Sequence, residues 1–188
     1  DTLCDIHFRI SAKSFYQTNP VMTEILYKTA MEFAELTKND VVFDAYSGIG
    51  TIGLIAAKDA KKVISVEIVP EAVRDAKENA KYNHIDNFYA YADDASSFIY
   101  KMVRNHDHID VLFMDPPRKG SDEKFLKAVL AIKPSRIVYI SCDPSSLARD
   151  VAFLSRGYEV KKVQPVDMFP QTFHVETIVL LQRKMSRN

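Results

Sequence analysis

The stretch that decides the fold is VVFDAYSGIGTIG, residues 41–53, where a short apolar run leads into a cluster of glycines. The β-branched and aromatic residues of the run predict a buried parallel strand, and the pattern that follows predicts a helix at 51–58. Gly48, Gly50 and Gly53 fit the G-x-G-x-x-G spacing, in which glycines permit a tight turn and let a ligand lie against bare backbone. The stretch therefore predicts a nucleotide-binding loop between a strand and a helix.

Asp44, at the end of the predicted strand, distinguishes between the two common ligands of such a loop. A carboxylate in this place would repel a pyrophosphate, but it can hold the ammonium group of S-adenosylmethionine. Glu67 ends the next apolar run and can accept hydrogen bonds from the ribose hydroxyls of either cofactor class. The alternative interpretation is that Asp44 caps the turn and that Glu67 is solvated at a strand end.

The composition suits a single globular domain, since 47% of the 188 residues are hydrophobic and 27% are charged. The sequence has neither an apolar run of about 18 residues nor a signal-like start, so we expect a cytoplasmic, monomeric protein that does not contact a membrane. Cys4 and Cys142 form no metal or disulfide pattern, so no metal is predicted. Residues 1–94 hold ten basic against fifteen acidic residues, and 95–188 hold the reverse. The second half is therefore favoured to meet an anion, unless its charges are scattered over solvated helices.

Strand and helix patterns alternate after the glycine loop, which is typical of a parallel sheet with helices on both faces. Strands are predicted near 41–44, 62–67, 88–92, 109–114 and 136–141. Helices are predicted at 51–58, 70–83, 94–104, 121–132 and 144–155. The last two strand-like runs, 158–166 and 173–182, leave no room for a helix between them and should pair antiparallel. Such an α/β arrangement resembles the Rossmann-like fold of S-adenosylmethionine-dependent methyltransferases.

Ahead of the glycine loop, the alternating residues Cys4 to Ile10 predict a short strand or the tail of a preceding domain. Asn19 can cap, and Pro20 can begin, a helix that runs to about Leu36. The apolar face of this helix is predicted to comprise Met22, Ile25, Leu26, Thr29, Phe33 and Leu36. Phe15 and Gln17 precede the cap and have no evident core role, although a loop aromatic often only fills a gap.

In open parallel sheets a ligand lies over the carboxyl ends of the strands, so the residues just after each strand are candidates for a site. Asp94 could face an adenine amine, although Asp93 competes for that role and either could simply cap the next helix. Asp115-Pro-Pro-Arg118 follows another strand, and its prolines restrict the loop. Asp115 could accept a hydrogen bond from a base N–H, while Arg118 could meet a phosphate.

Two further residues carry reactive groups at strand ends. Cys142 lies between a strand and a helix begun by Pro144, where the helix dipole favours a thiolate, so we expect a thiol pKa below the usual value of about 8.5. The alternative is an inert core thiol. Glu176 interrupts the last apolar run, where an unpaired carboxylate is costly to bury, so we expect it at the mouth of a site rather than on a solvated edge strand.

Six segments in this order are similar to the catalytic domain of the uracil-5 RNA methyltransferases, which make 5-methyluridine in ribosomal or transfer RNA. They are FYQTN, DAYSGIGTIGL, VEIVPEAV, DPPRKG, SCDP and HVET, and the resemblance runs from about Phe8 to Arg183. It implies Cys142 as nucleophile, Glu176 as base and Asp115 as the residue that holds the base edge. It also implies an S-adenosylmethionine site formed by Gln17, Tyr46, Thr51, Glu67, Asp94 and Asp115.

The resemblance further implies methyl transfer to carbon 5 of a uridine through a covalent Cys–uracil intermediate. The RNA partner would present its uridine unpaired or flipped; we expect contacts from Phe15 and Arg118, and ribosomal rather than transfer RNA. The family's N-terminal RNA-binding domain and central insertion have no counterpart here, so residues 1–188 are expected to form a catalytic unit alone. An RNA-binding module or chaperone, and more distantly a dinucleotide-dependent oxidoreductase, are the alternative functions.

Overall fold

The computed structural model describes residues 1–10, 17, 19–172 and 175–185. The strands are β1 Thr2–Leu3, β2 Ile6–His7, β3 Val41–Ala45, β4 Lys62–Glu67, β5 Phe88–Ala92, β6 Val111–Met114, β7 Arg136–Ser141, β8 Tyr158–Val166 and β9 Glu176–Arg183. The helices are α1 Pro20–Ala34, α2 Thr51–Ala57, α3 Pro70–Tyr82, α4 Ala95–Arg104, α5 Glu123–Ile132 and α6 Pro144–Leu154. The predicted alternation is confirmed. β6 begins two residues later than predicted, although Ile109 ahead of it is buried.

Seven strands form one sheet in the order β5-β4-β3-β6-β7-β9-β8. The first five in this order are parallel, and β9 pairs antiparallel with both β7 and β8. The α/β fold with a C-terminal antiparallel hairpin is therefore confirmed. The chain moves outward from β3 to β5 and then returns to β6 on the other side of β3. This reversal between β3 and β6 is the switch point at which open α/β sheets bind their ligands.

Apolar side chains fill both sides of the sheet. One core joins α1, α2 and α3 to one face, with Leu26, Leu54 and Ala76 fully buried. The other core joins α4, α5 and α6 to the opposite face, with Phe125 and Leu154 among its buried members. Because both faces are covered, the central strands are apolar at almost every position, as a buried parallel sheet requires.

Helix α1 begins as predicted, because the Asn19 side chain accepts the Met22 N–H at 3.2 Å and Pro20 occupies the first turn. Its predicted apolar face is confirmed in part, because Leu26 is buried and Met22, Phe33 and Leu36 are partly buried against the core. The buried residues are Thr23, Leu26, Tyr27, Ala30 and Ala34, whereas Ile25 is 46% exposed. The buried face therefore combines the large residues Leu26 and Tyr27 with the small residues Ala30 and Ala34.

The segment from Cys4 to Ile10 is not one strand. Cys4 and Asp5 both have positive φ, at 49° and 61°, and form the two-residue turn between β1 and β2. Asn79 of α3 and Asn83, directly after the helix, then hold the following backbone. Each side-chain amide both donates to and accepts from one residue, Asn79 with Arg9 and Asn83 with His7. These two side chains supply the pairing that a neighbouring strand would otherwise provide.

Candidate functional site

Parallel register gathers the strand-end residues of the predicted site at one edge of the sheet. Ala45 of β3 is level with Val66 of β4 and with Met114 of β6. The next residues along, Tyr46 and Asp115, therefore flank the switch point. Of the predicted cofactor ligands, the same edge also carries Glu67 and Asp94, because β4 and β5 end together.

A narrow cavity of about 60 Å³ opens at this switch point. Five predicted site residues line it: Gln17, Tyr46, Gly48, Thr51 and Asp115. Thr23, Tyr27, Ser47, Ile49 and Ile52 complete the lining. The cavity is far smaller than the site of a drug-sized ligand.

The glycine loop turns back against Glu67. The Gly48 N–H donates to Glu67 Oε2 at 3.0 Å, and the Val69 N–H donates to Glu67 Oε1 at 3.0 Å. Gly48 has φ +54°, and a Cβ at this position would meet nothing within 4 Å. Bare backbone therefore faces open space, as a loop that lies against a ligand requires. Each Glu67 oxygen accepts one of these bonds, so capacity for ribose hydroxyls remains.

Asp44 lies beneath the glycine loop and does not line the cavity. The side chain is 1% exposed, and its Oδ2 accepts the Gly53 N–H and the Ser65 hydroxyl, each at 3.0 Å. Oδ1 has no hydrogen-bond partner among the residues described. In this conformation the carboxyl group holds the loop from below, which corrects the expectation that Asp44 is open to an ammonium group. A role in cofactor binding stays a prediction, exerted through the loop.

Burial raises the pKa of Asp44 to about 7, and the bonds from Ser65 and Gly53 oppose that rise. An unfolded Asp has a pKa of about 3.9, so the folded protein holds an extra proton between about pH 4 and pH 7. The free energy of unfolding should therefore fall as pH rises through this window. In Asp44→Asn we expect a shallower fall between about pH 5 and pH 8, measured by urea titration at several pH values.

Asp93→Asn provides the control for this titration. Asp93 forms an ion pair with Lys101 at 2.7 Å, and that partner lowers the pKa of Asp93 from its ordinary value. The proton on Asp93 therefore changes only in more acidic solution, so its replacement should leave the slope above about pH 5 unaltered. Equal slopes in wild type and Asp44→Asn would show that Asp44 does not carry the extra proton.

Asp93 and Asp94 have different hydrogen-bond partners. Lys101 binds Asp93, whereas Asp94 is the N-cap of α4 and accepts the Ser97 N–H at 2.8 Å through Oδ1. The capping alternative is thus correct for Asp94, but a carboxylate has further acceptor sites. Asp94 also lines a cleft of about 710 Å³ between α4 and α5, and its role toward an adenine amine stays a prediction.

Ile68 is a candidate that the sequence interpretation missed. It is 67% exposed, immediately after Glu67, and the Asp93 N–H donates to the Glu67 carbonyl at 3.0 Å, which places Ile68 beside the end of β5. A large exposed apolar side chain among strand-end carboxylates offers a surface for an aromatic base. The sequence feature that could have indicated Ile68 is an apolar residue directly after an acidic residue at the end of a strand.

Cys142 and Glu176 meet across the β7–β9 pair. Ser141 is level with Thr177 in this antiparallel register, so the next position brings Cys142 opposite Glu176. Both side chains are partly buried. Asp115 reaches the same place from the neighbouring strand β6, because Met114 is level with Tyr139 of β7. The three residues predicted to be catalytic, which are 27 and 34 positions apart along the chain, thus come together.

The pKa expected for Cys142 is wrong in direction. Burial raises the pKa of the thiol above its ordinary value, the negative charges of Glu176 and Asp115 raise it further, and Arg118 lowers it. The helix N-terminus does not reverse this, because Asp143 lies between Cys142 and α6 as the N-cap and accepts the Ser146 N–H at 2.7 Å. Arg118 is therefore the cation that favours a thiolate here.

The two carboxyl groups beside the thiol also have perturbed acidity. Burial raises the pKa of Asp115 to about 8, and the charges of Glu176 and Asp44 raise it further. Burial also raises the pKa of Glu176, while Arg118 lowers it. At neutral pH the protonated form of Asp115 predominates, so this residue can donate as well as accept a hydrogen bond.

Tyr46 connects the glycine loop to the loop after β6. Its hydroxyl donates to Ser121 Oγ at 3.2 Å, and its ring packs on Phe125 with centroids 5.3 Å apart. The predicted substrate contact Phe15 lies outside the residues that the structure describes, as do Phe173 and His174. Within the described ranges, no helix is both long and apolar enough to cross a membrane.

The sheet order, the glycine loop and the strand-end carboxylates define the Rossmann-like fold of S-adenosylmethionine-dependent methyltransferases. The family model for tRNA (uracil-5-)-methyltransferases matches residues 3–184. The chain belongs to that family.

Relatives share the fold and much of the sequence. An uncharacterized RNA methyltransferase of Halalkalibacterium halodurans is 52% identical over 98% of this chain and 40% of its own length. An uncharacterized RNA methyltransferase of Enterococcus faecalis is 50% identical over 97% of this chain and 40% of its own length. A similar solved structure is that of Pyrococcus abyssi tRNA (uracil-54, C5)-methyltransferase in complex with S-adenosyl-L-homocysteine. The two sequences are 30% identical and the structures superpose with a TM-score of 0.78, over 96% of this chain and 43% of the Pyrococcus abyssi chain. The chain thus spans about 40% of the length of the curated relatives it matches.

Proposed function

We propose that this chain is the catalytic unit of an enzyme that methylates carbon 5 of a uridine in RNA, with S-adenosylmethionine as methyl donor. The observation that carries the proposal is the register that brings Cys142 opposite Glu176, with Asp115 on the other side of Cys142, where it lines the cavity at the switch point. A nucleophile, a base and a hydrogen-bonding acid in one place are what this chemistry needs.

The residues present fit the cofactor. The bare backbone at Gly48 leaves room for a ligand against the loop, and Gln17, Tyr46 and Thr51 line the cavity beside it. Glu67 would accept the ribose hydroxyls, and Asp94 the adenine amine, with Ile68 against the ring. When bound, S-adenosylmethionine supplies an electrophilic methyl group on a sulfonium.

The protein's own groups then act on the uracil. Carbon 5 is a weak nucleophile until the Cys142 thiolate adds to carbon 6, which turns the ring into an enolate. Protonated Asp115 can donate a hydrogen bond to the ring oxygen on which this charge develops. Once carbon 5 carries the methyl group, Glu176 removes its remaining proton and the bond to Cys142 breaks. Arg118 favours the thiolate at the start and at the end of this sequence.

The uridine must be flipped or lie in an unpaired loop to reach Cys142, because the reacting atoms of a stacked base are covered. We propose ribosomal RNA as the substrate class. The Pyrococcus abyssi relative is a tRNA methyltransferase, so transfer RNA is the second substrate to test.

The experiment is a methyl-transfer assay on both RNA classes. Purified protein is incubated with deuterium-methyl S-adenosylmethionine and unmodified ribosomal or transfer RNA, and the nucleosides are then separated by mass spectrometry. We expect labelled 5-methyluridine, with ribosomal RNA as the better substrate. A label on adenosine, cytidine or ribose would overturn the proposal, and RNA binding without any label would favour the binding-module alternative.

A further inference from the structure

Asp150 is an acidic residue that is fully buried, and its two oxygens accept four hydrogen bonds. Oδ2 accepts the Ser121 N–H at 2.8 Å and the Tyr139 hydroxyl at 2.7 Å. Oδ1 accepts Nε and Nη2 of Arg149 at 2.9 and 2.7 Å. The fork of Arg149 thus neutralises the buried carboxylate from the solvent side, where the Arg149 side chain is 58% exposed.

The same pair binds the backbone of the loop between β6 and α5. Arg149 Nη2 donates to the carbonyl groups of Lys119 and Ser121, at 2.8 and 3.3 Å. Gly120 between them has φ +74°, and a Cβ there would lie 2.5 Å from Arg149 Nη2 and 2.6 Å from Asp150 Oδ2. The loop is therefore pressed onto the ion pair so closely that only glycine fits.

This backbone closes the turn that carries Arg118. The Gly120 N–H donates to the Pro117 carbonyl at 2.7 Å, so residues 117–120 form a single turn with Arg118 as its second residue. Arg118 is the cation that acts on both Cys142 and Glu176. The position of that cation thus depends on a turn whose far end is held by Arg149 and Asp150.

Two other elements of the site join the same network. Tyr139, which donates to Asp150, lies on β7 three residues before Cys142. Ser121, which donates its N–H to Asp150, also accepts the Tyr46 hydroxyl from the glycine loop. The strand of the nucleophile, the cofactor loop and the turn that carries Arg118 are therefore all tied to one buried carboxylate.

We propose that Arg149 and Asp150 are positioning residues, which hold the turn of Arg118 against Cys142 and keep the Asp115–Arg118 loop in its reactive geometry. The inference rests on the proposed function for its effect on methylation, but not for its effect on the thiol. An ion pair adds little net stability, whether its partners are exposed or buried. Its directional bonds to three backbone groups instead fix where the turn lies.

The test replaces the exposed partner, so that the fold is retained. In Arg149→Met the carbonyl groups of Lys119 and Ser121 lose their donor, and Gly120→Ala disrupts the contact from the loop side. The first readout is the pH profile of Cys142 alkylation by iodoacetamide, followed by mass spectrometry, which needs no RNA. We expect both variants to shift this profile to higher pH, as Arg118→Met should, because the cation is displaced from the thiol.

Turnover gives the second readout. We expect kcat for RNA methylation to fall about tenfold or more in Arg149→Met, since small misplacements of reacting groups have effects of this size, while the Kd for S-adenosylhomocysteine stays within about twofold. Arg149→Lys keeps the charge beside Asp150 and one donor, so it should recover part of kcat. Arg156→Met is the control, because that arginine lies over the Phe153 ring, beyond the end of α6.

The outcomes separate this inference from the proposed function. If wild type does not methylate RNA but the alkylation profile shifts as expected, the positioning role stands and the proposed function fails. If Arg149→Met unfolds more easily, yet its folded form keeps the wild-type alkylation profile and kcat, the pair is merely structural and the inference is overturned. A shift of equal size in Arg156→Met would also overturn it.

Discussion

Glu176→Gln is expected to accumulate RNA that is methylated and still joined covalently to Cys142. Thiolate addition to carbon 6 and methylation of carbon 5 need no base at that carbon, whereas the bond to Cys142 can break only after the carbon-5 proton has left. Gln cannot take that proton. The adduct should appear on denaturing gels as a protein band shifted by the mass of the RNA, and turnover should fall by about a hundredfold or more.

Two variants control this result. Cys142→Ala removes the nucleophile, so neither this variant nor the double variant with Glu176→Gln should form an adduct. Cys4→Ala replaces the other cysteine, which lies in the turn between β1 and β2, and should behave like wild type. Normal turnover in Glu176→Gln, or an adduct that persists without Cys142, would show that the nucleophile and the base are wrongly assigned.

Gly53→Ala is expected to destabilise the protein by about 3 kcal/mol or more, because three buried groups leave no space for a methyl group. A Cβ at Gly53 would lie 2.5 Å from Ser65 Oγ, 2.7 Å from Asp44 Oδ2 and 2.8 Å from Phe88 Cε2. Two of these atoms, Ser65 Oγ and Asp44 Oδ2, are hydrogen-bonded to each other beneath the loop, and Asp44 Oδ2 also accepts the Gly53 N–H. The substitution therefore also breaks the hydrogen bonds that hold the loop. Urea unfolding measures the loss, and calorimetry with S-adenosylhomocysteine should show no measurable binding.

Gly48→Ala, in the same loop, is the matched control. Its Cβ meets nothing within 4 Å, and its cost is the left-handed φ of +54°, which is worth roughly 1–2 kcal/mol for a non-glycine residue. The protein should therefore stay folded, but its affinity for S-adenosylhomocysteine should fall, because the new methyl group occupies the space beside the bare backbone. If both variants unfold alike, the contacts around Gly53 do not decide the stability of the loop.

Local pattern in the sequence determined the elements of the fold. Strands and helices were predicted close to their observed limits, because each depends on periodicity, caps and glycine positions within a few residues. The cap at Asn19 and the starts of α3 and α6 at prolines are of this kind. The complete buried face of α1 was not predictable in this way, because it also includes Thr23, Ala30 and Ala34. The residues that α1 buries depend on its packing against the sheet, and the pattern of large apolar residues does not predict that packing.

The properties of the candidate site are likewise of two kinds: some follow from the sequence and others only from the tertiary structure. The sequence by itself determined that a glycine loop follows a buried strand and that reactive residues stand at strand ends. Only the tertiary structure decided that Asp44 lies beneath the loop, and that burial, with the charges of Glu176 and Asp115, raises the pKa of Cys142 against the expected effect of the helix. Burial and electrostatic interaction depend on distances between atoms, and these groups are brought together by pairing between strands that are remote in the chain. The bond network of Asp150 arises in the same way, because its partners lie on β7 and on the loop after β6.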